Sequence, residues 1–199
     1  MADMEKTGKN LEGRGFRVHR FATGAEAADY LVQTLHGTSI GIGGSVTIDT
    51  LGVYDRLCES NEVFWHWKNH APETRERAGK AETYLCSANG VSENGEIVNI
   101  DGFGNRVAGT IYGPERVFLV VGRNKIAPDL TGAIDRARNI AAPLNARRLN
   151  RHTPCAVGEP RCHDCRSPEK VCGVMTVFFM PPTSIKEFHV ILVDEDLGY

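Results

Sequence analysis

The sequence lacks a strong excess of charge of either sign. It contains 23 Lys and Arg residues against 25 Asp and Glu residues, which gives a formal net charge of -2 at pH 7. Proteins that bind nucleic acid or an anionic membrane surface through long-range attraction are markedly basic. The balanced charge therefore argues against nucleic acid and membrane partners, and any site for an anion has to be a local one.

A long hydrophobic segment is also lacking. A helix that spans a bilayer needs about 20 consecutive apolar residues, and no stretch of this sequence approaches that length. The start, MADMEKTGKNLEGRG, is polar and has no apolar segment of the kind found in secretory signals. We therefore expect a soluble, cytoplasmic protein, in a compartment where reducing conditions disfavour structural disulfides.

Internal repeats and low-complexity linkers are absent as well. The chain has 199 residues, 41% of them hydrophobic, which is enough to bury the core of one sizeable domain. We therefore expect residues 1–199 to form a single domain.

The sequence does contain an alternation of strand and helix patterns. It predicts an α/β fold with a mostly parallel sheet and helices on both faces. The pair Asn94-Gly95 predicts a hairpin between residues 91–92 and 96–100. The predicted strands are 16–21, 38–44, 62–67, 83–87, 117–122, 174–180 and 189–195, and the predicted helices are 23–36, 47–60, 72–82 and 127–141. Binding sites on such sheets lie at the carboxyl ends of the strands.

A glycine-rich turn, GIGGSVT at residues 41–47, follows one of the predicted strands. Glycines let the backbone turn sharply and approach a ligand, and the hydroxyls of Ser45 and Thr47 add donors. We expect Gly43, Gly44, Ser45 and Thr47 to bind an anion. A turn that needs glycine for steric reasons alone is the alternative. The pattern is neither G-x-G-x-x-G nor a P-loop, so neither dinucleotide nor nucleoside triphosphate binding is predicted.

Polar and basic residues follow two further predicted strands. Asn89, Asn105 and Arg106 stand among small and apolar residues in segment 86–114, a composition typical of a pocket lining. Arg123 and Lys125 come directly after the apolar strand 117–122, where a phosphate or carboxylate is readily bound. We assign the first three to substrate orientation and the last two to anion binding.

Three other residues receive simpler interpretations. Arg136 and Arg138 lie on predicted helix 127–141 and are read as its solvated face. Cys86 stands at a strand end beside the predicted pocket, and it would need a lowered pKa to act as a nucleophile.

Four cysteines within residues 155–172 have the spacing C-x6-C-x2-C-x6-C. Cys162 and Cys165 form a compact two-thiolate clamp, and Cys155 and Cys172 lie symmetrically on either side. We expect a metal-binding loop at 152–173 in which all four thiolates converge. Four-thiolate coordination suits either zinc or an iron-sulfur cluster, and the spacing matches neither the ferredoxin run nor the paired halves of zinc ribbons.

Several long motifs resemble the LUD-domain family, of the lactate utilisation protein C type. They are GIGGSVT, YLCSANGVSENGEIVNIDGFGNRVAGTIYGPERVFLVVGRNKIA, RARNIAAPLNARRL and VILVDEDLGY, in the family's order, and the resemblance covers about residues 14–199. It implies a NagB/RpiA/CoA-transferase-like fold, a link to the oxidation of lactate to pyruvate, and an iron-sulfur partner subunit. The cysteines mark a subgroup, since many members lack them.

The resemblance also bears on mechanism. The glycine turn is similar to the phosphate loop of ribose-phosphate isomerases, and Asn89 stands where sugar-phosphate isomerases have a catalytic Asp. An amide cannot shuttle a proton as a carboxylate does, so ordinary aldose-ketose isomerisation is not expected.

Two hypotheses about function follow from the sequence. In the first, an iron-sulfur protein with a 4Fe-4S cluster acts on or binds a small anionic metabolite, as a redox subunit or as an organic-acid or sugar-phosphate enzyme. In the second, a non-catalytic accessory or sensing module carries a structural zinc clip. The sequence leaves the choice of metal, the substrate and a homo-oligomeric state open.

Overall fold

The computed structural model describes residues 3–199, and its centre is a six-stranded parallel sheet. In chain order the strands are β1 (Arg17–Phe21), β2 (Ser39–Ile42), β3 (Glu62–Trp65), β4 (Thr83–Ser87), β5 (Gly90–Ser92), β6 (Ile97–Asp101), β7 (Arg116–Gly122), β8 (Ile126–Ala127), β9 (Val174–Phe178) and β10 (Glu187–Val193). The central sheet has the order β1-β10-β7-β4-β2-β3, and each neighbouring pair is parallel.

Helices connect and cover these strands. In chain order they are α1 (Met4–Gly13), α2 (Gly24–Thr34), α3 (Val46–Leu51), α4 (Tyr54–Cys58), α5 (Thr74–Gly79), α6 (Asn105–Ile111), α7 (Leu130–Arg136), α8 (Ala142–Arg148) and α9 (Pro154–Val157). The mostly parallel sheet with helices, predicted from the alternating pattern, is confirmed.

The central sheet is buried on both faces. Along β7 the side chains alternate: Phe118 and Val120 belong to one core cluster, and Val117 and Leu119 belong to another. Since successive side chains of a strand point to opposite faces, the two clusters lie on opposite sides of the sheet. Helices α2, α3 and α4 contribute to the first cluster, whereas α1 and a second sheet contribute to the other.

The second sheet has four strands in the order β8-β5-β6-β9. Strands β5 and β6 form the hairpin predicted at Asn94-Gly95, with Gly95 at φ 91°. Strand β9 extends the hairpin in antiparallel fashion, and β8 adds a short parallel pair. The sequence predicted the hairpin but not that distant strands would complete a separate sheet on it.

Helix boundaries depart from the sequence prediction where special residues interrupt the backbone. The predicted helix 47–60 is broken into α3 and α4 because Gly52 has a left-handed conformation, with φ 64°. The predicted helix 127–141 instead continues from α7 through a π-helical turn, Ala137–Ala141, into α8. Pro143 lacks an N–H and cannot fit a regular helix interior, and a widened turn just before it accommodates that defect.

Helices α1 and α6 are among those that were not predicted. Helix α1 is polar, and it begins where the Asp3 carboxylate accepts a hydrogen bond from the backbone N–H of Lys6. Helix α6 begins after Gly104, at φ 93°, and Asp101 accepts hydrogen bonds from the backbone N–H groups of Gly104 and Val107. Both helices are set by local caps and tertiary contacts that periodicity does not reveal.

Across residues 3–199, no helix combines the length and the apolar character needed to cross a bilayer.

Gly41, in β2, offers a direct test of the packing between the sheet and α5. A Cβ at this position would lie 1.9 Å from the backbone carbonyl oxygen of Ala78, whereas a Cβ on Gly79 would meet nothing within 4 Å. We expect Gly41→Ala to lower the free energy of unfolding by about 1–3 kcal/mol or more, because backbone must shift to relieve the overlap. Gly79→Ala is the matched control and should change it by about 0.5 kcal/mol or less. Equal urea midpoints for the two variants would contradict the packing.

Candidate functional site

A cleft of about 740 Å³ lies at the carboxyl edge of the central sheet. Its floor and near wall come from the segments that follow four parallel strands: residues 44–47 after β2, His66 and Trp67 after β3, residues 87–89 after β4, and Lys125 after β7. This is the edge at which α/β sheets bind ligands. The predicted glycine turn and the predicted polar segments therefore meet in one place.

Three other parts of the chain close the cleft. Helix α6 contributes Asn105 and Arg106, and helix α8 contributes Asn145 and Arg148. Residues 168–171, inside the cysteine-rich segment, form a further wall.

Lys125 is the most deeply buried basic residue of the cleft, with 2% of its surface exposed. Its Nζ donates hydrogen bonds to Thr47 Oγ1 at 2.7 Å and to Ser87 Oγ at 2.8 Å. Burial lowers the pKa of Lys125 well below its ordinary value, and the nearby Arg136 and Arg106 guanidinium groups lower it further. The glycine turn and the end of β4 are thus joined through one amine.

Arg106 is held by neutral acceptors rather than by a close carboxylate. It donates to Asn99 Oδ1 at 2.7 Å, to Asn89 Oδ1 at 2.8 Å and to the carbonyl oxygen of Ser87 at 3.2 Å. The carboxylate of Asp101 lies 4.0 Å from Arg106 Nε. Arg106 therefore fixes the orientation of the Asn89 side chain.

Gly43 allows this arrangement, because a Cβ there would lie 3.0 Å from both Arg106 Cγ and the Tyr84 hydroxyl. Gly43 therefore has a packing role, and Gly44, Ser45 and Thr47 are the members of the glycine turn that line the cleft. Ser45 Oγ also accepts a hydrogen bond from the backbone N–H of Ile48 at 3.2 Å, so it caps α3.

Arg136 was read from the sequence as part of a solvated helix face, and that interpretation is wrong. Only 7% of its surface is exposed. It donates to the carbonyl oxygens of Asn89 at 2.6 Å and Asn124 at 2.7 Å. Burial lowers its pKa to about 10. Arg138 is exposed as predicted, and it contacts Cys162 and Asp164.

Arg123, predicted to bind an anion beside Lys125, lies outside the cleft. Its guanidinium group contacts Asp196 at 3.0 Å and Asp194 at 3.5 Å. These two carboxylates direct its charge away from the cleft.

Several cleft residues were not assigned to the site from the sequence. Six basic residues line the cleft, namely Arg75, Arg106, Lys125, Arg148, Arg151 and Lys170, against two acidic ones, Asp101 and Glu169. His66 and His70 line it too, and burial lowers the pKa of His66. Arg148 and Arg151 belong to a basic stretch that is visible in the sequence, but only the extension of the helix through Pro143 carries that stretch to the cleft.

The four cysteines of the motif lie in one segment without forming a ligand set. All of the chain's cysteines are free thiols, and these four are partly exposed. Among residues 3–199, no group of three or more His, Cys, Asp or Glu side chains is arranged to hold a metal ion. The convergence that the spacing predicted is therefore not seen.

The thiols are nevertheless close enough to interact electrostatically. Burial raises the pKa of the Cys172 thiol, while the Lys170 ammonium lowers it. The other three thiols of the motif raise it further. Cys162 Sγ also accepts hydrogen bonds from Arg138 at 3.3 Å and from the backbone N–H of Asp164 at 3.4 Å.

The comparison with protein families agrees with this architecture. The LUD domain matches residues 4–193 of the chain. The chain belongs to the LUD-domain family. None of the curated proteins compared with it matches.

A solved structure supports the fold of this LUD-domain protein. A DUF162 family protein from Deinococcus radiodurans superposes with a TM-score of 0.56, at 13% sequence identity, over 96% of this chain and 95% of the other. At that identity the likeness concerns the fold alone.

Cys86 directly precedes Ser87 in the cleft of this LUD-domain protein, and its environment opposes nucleophilic chemistry. The thiol is fully buried, and burial raises its pKa to about 12. A thiol with that pKa has about a thousandfold less thiolate at neutral pH than an unperturbed one.

We therefore expect iodoacetamide at pH 8 to leave Cys86 unmodified in the native protein and to label it after unfolding in urea. Peptide mass mapping measures both, with the exposed Cys58 as the internal reference. Labelling of Cys86 in the native protein at the rate of Cys58 would contradict the described burial.

Proposed function

We propose that this LUD-domain protein binds a small anionic metabolite, an organic acid or a sugar phosphate, in the cleft. One observation carries the proposal. Of the six basic residues that line the cleft, only Arg106 has a carboxylate within ion-pair distance in the described part of the chain, at 4.0 Å. A concave site with uncompensated positive charge attracts anions.

The outer cations of the cleft are its exposed arginines, Arg75, Arg148 and Arg151, and they are available to a ligand. Arg75 stacks on the exposed ring of Phe103, with 5.1 Å between the guanidinium carbon and the ring centre. Arg148 packs on Trp67 in the same way, at 4.5 Å. Stacking holds each guanidinium group in place. Arg75 makes no side-chain hydrogen bond within the described residues, so its whole edge can donate to a carboxylate or phosphate. Arg148 donates through Nε and Nη2 to Asn145 Oδ1 and the Tyr199 hydroxyl, which leaves Nη1 for a ligand.

The inner wall adds a neutral donor. The Oδ1 atom of Asn89 accepts hydrogen bonds from Arg106 and from the backbone N–H of Ile100. Its Nδ2 atom donates to no acceptor within residues 3–199, and Asn89 lines the cleft. We assign Asn89 Nδ2, together with Asn105, to orienting the bound metabolite.

Removing an outer cation tests the anion site. Arg75 and Arg151 make no side-chain hydrogen bond or ion pair within the described residues, so their loss should leave the fold intact. We expect Arg75→Gln and Arg151→Gln each to raise the Kd for pyruvate and for inorganic phosphate about five- to tenfold, a loss of about 1 kcal/mol of charge-assisted contact.

Isothermal titration calorimetry at low salt measures these constants. Arg56→Gln removes an exposed arginine outside the cleft, paired with Asp29 at 2.8 Å, and it should leave both constants unchanged. A Kd that stays the same in all three variants, or that rises equally in all three, would contradict the proposed site.

We further propose that the protein is of the lactate utilisation protein C type and that Cys155, Cys162, Cys165 and Cys172 hold a 4Fe-4S cluster. The spacing of the four cysteines within one segment and the N–H donors at Cys162 support this assignment. A fully ligated cluster would supply single-electron transfer to the oxidation of an organic acid, with an iron-sulfur subunit as the partner.

A structural zinc clip is the second candidate, and the backbone of the cysteine segment favours it. Residues 158–173 contain no helix or strand, yet residues 168–171 within them form a wall of the cleft. A four-thiolate zinc site stabilises such a segment outright. In that case the protein would be a non-catalytic accessory or sensing module.

Metal analysis of protein purified without oxygen separates the two candidates. The cluster predicts iron and inorganic sulfide in equal amounts and visible charge-transfer absorption, lost in Cys162→Ser and kept in the control Cys58→Ser. Zinc without iron would support the accessory role and remove the redox role. Protein that takes up neither metal, with or without reconstitution, would contradict both.

A further inference from the structure

The hydrogen bonds of the two hydroxyls beside Lys125 direct their protons to backbone carbonyl oxygens, with Ala88 as a second and longer acceptor for Ser87 at 3.3 Å. Thr47 Oγ1 lies 3.2 Å from the carbonyl oxygen of Leu197, which accepts its only hydroxyl proton. Ser87 Oγ lies 2.6 Å from the carbonyl oxygen of Val120, which accepts the proton of that hydroxyl. Each hydroxyl therefore presents a lone pair to Lys125, and Nζ donates one N–H to each of them.

These two bonds leave one tetrahedral position on Nζ. Within residues 3–199 no third acceptor lies within hydrogen-bonding distance of it, and no carboxylate lies within ion-pair distance. Lys125, Thr47 and Ser87 all line the cleft. The remaining position therefore holds either a third proton or a lone pair at the floor of the cleft.

The surroundings of Nζ favour the lone pair. The side chain is almost fully buried, and the charged groups nearest to it, Arg106 and Arg136, are cations. Both effects destabilise the ammonium form, and the pKa of Lys125 is lowered accordingly. A neutral amine that makes two donor hydrogen bonds is an oriented nucleophile.

We infer that Lys125 forms an imine with the carbonyl carbon of an anionic aldehyde, ketone or 2-oxo acid bound in the cleft. This inference rests on the proposed anion site, since the outer arginines would hold the carboxylate or phosphate while the carbonyl group reaches Nζ.

The step balances without an oxidant or a reductant. The Nζ lone pair forms the C–N bond, and the carbonyl π electrons move to oxygen. One N–H proton transfers to that oxygen to give a carbinolamine. Loss of the hydroxyl group with the second nitrogen proton, as water, gives the C=N bond. The oxygens of Thr47 and Ser87, at 2.7 and 2.8 Å, lie where both nitrogen protons point.

Arg106 is a positioning residue in this scheme. It holds Asn89 Oδ1 at 2.8 Å and donates to the carbonyl oxygen of Ser87 at 3.2 Å, so it aligns the residue that receives a hydrogen bond from Lys125. The free Nδ2 of Asn89 is then directed to the ligand.

Reductive trapping tests the imine. The protein is incubated with pyruvate, and separately with dihydroxyacetone phosphate, in the presence of sodium cyanoborohydride, and the adduct is located by peptide mass mapping. We expect one adduct per chain, on Lys125, with at least one of the two compounds. The two arms distinguish a carboxylate-bearing from a phosphate-bearing carbonyl ligand.

Calorimetry on the same two compounds separates this inference from the proposed function. Binding without an adduct on Lys125, or adducts only on other lysines, would overturn the imine and leave the anion site standing. Absence of both binding and adduct would overturn the two together.

In the unsubstituted protein, the pH dependence of trapping distinguishes a neutral amine at Lys125 from an ammonium group. Between pH 7 and pH 9 the initial rate of trapping at Lys125, divided by the rate at exposed lysines in the same sample, should fall as the pH rises, because the exposed lysines gain free amine over this range. A ratio that does not change with pH would show that Lys125 is an ordinary ammonium group and would overturn the inference.

Variants add an independent check. Lys125→Arg retains a donor of similar length but has no nucleophilic amine, so it should lose the adduct. Lys186→Arg, at an exposed residue that pairs with Glu115 outside the cleft, is the control and should keep it. An undiminished adduct at the cleft in Lys125→Arg would refute the assignment. If Lys125→Arg does not fold, the pH profile of the unsubstituted protein still tests whether Lys125 forms the imine.

Discussion

A lysine buried beside two arginines, without a carboxylate to pair with it, connects the glycine turn to the end of β4 in this cleft. Burying an unpaired ammonium group is costly, and proteins avoid the cost by neutralising the group or by supplying a counter-ion. Here the Lys125 amine is satisfied by Thr47 and Ser87, two neutral hydroxyls. The positive potential of the cleft therefore comes from its arginines and from Lys170, and none of it has to come from Lys125.

The neighbouring cations follow the same pattern, and they also join the two sheets. Arg106 links Ser87, in β4 of the central sheet, to Asn99, in β6 of the second sheet. Arg136 reaches from α7 to the backbone of Asn89, between β4 and β5. Both guanidinium groups hold the architecture together through hydrogen bonds to neutral oxygens, and the carboxylate of Asp101 lies 4.0 Å from Arg106 Nε.

The cysteine-rich segment also contributes to the cleft, through residues 168–171. Val171 packs so closely on Gly102 that a Cβ at that glycine would lie 2.8 Å from the Val171 Cα. Cys172 follows immediately and packs against the core between the second sheet and α7. Any event that rearranges the thiols would therefore move one wall of the cleft. Metal binding by the cysteines and ligand binding in the cleft are coupled for this reason.

The sequence by itself determined the elements whose signals are local. The helix predicted at 23–36, the Asn94-Gly95 hairpin and the apolar strand β7 all appear where their residues predicted them. The same local logic placed the glycine turn and Lys125 at carboxyl strand ends, since strand direction follows from the alternating pattern.

Tertiary structure alone decided which charges face the cleft. Arg123 and Lys125 look equivalent in the sequence, yet two carboxylates from the end of β10 and the residues after it bind the first, and hydroxyls 78 and 38 residues away hold the second. Arg136 has the helical spacing of a surface residue but is covered once the second sheet packs against its helix. Such outcomes depend on long-range packing, which sets burial and charge partners and which local periodicity does not encode.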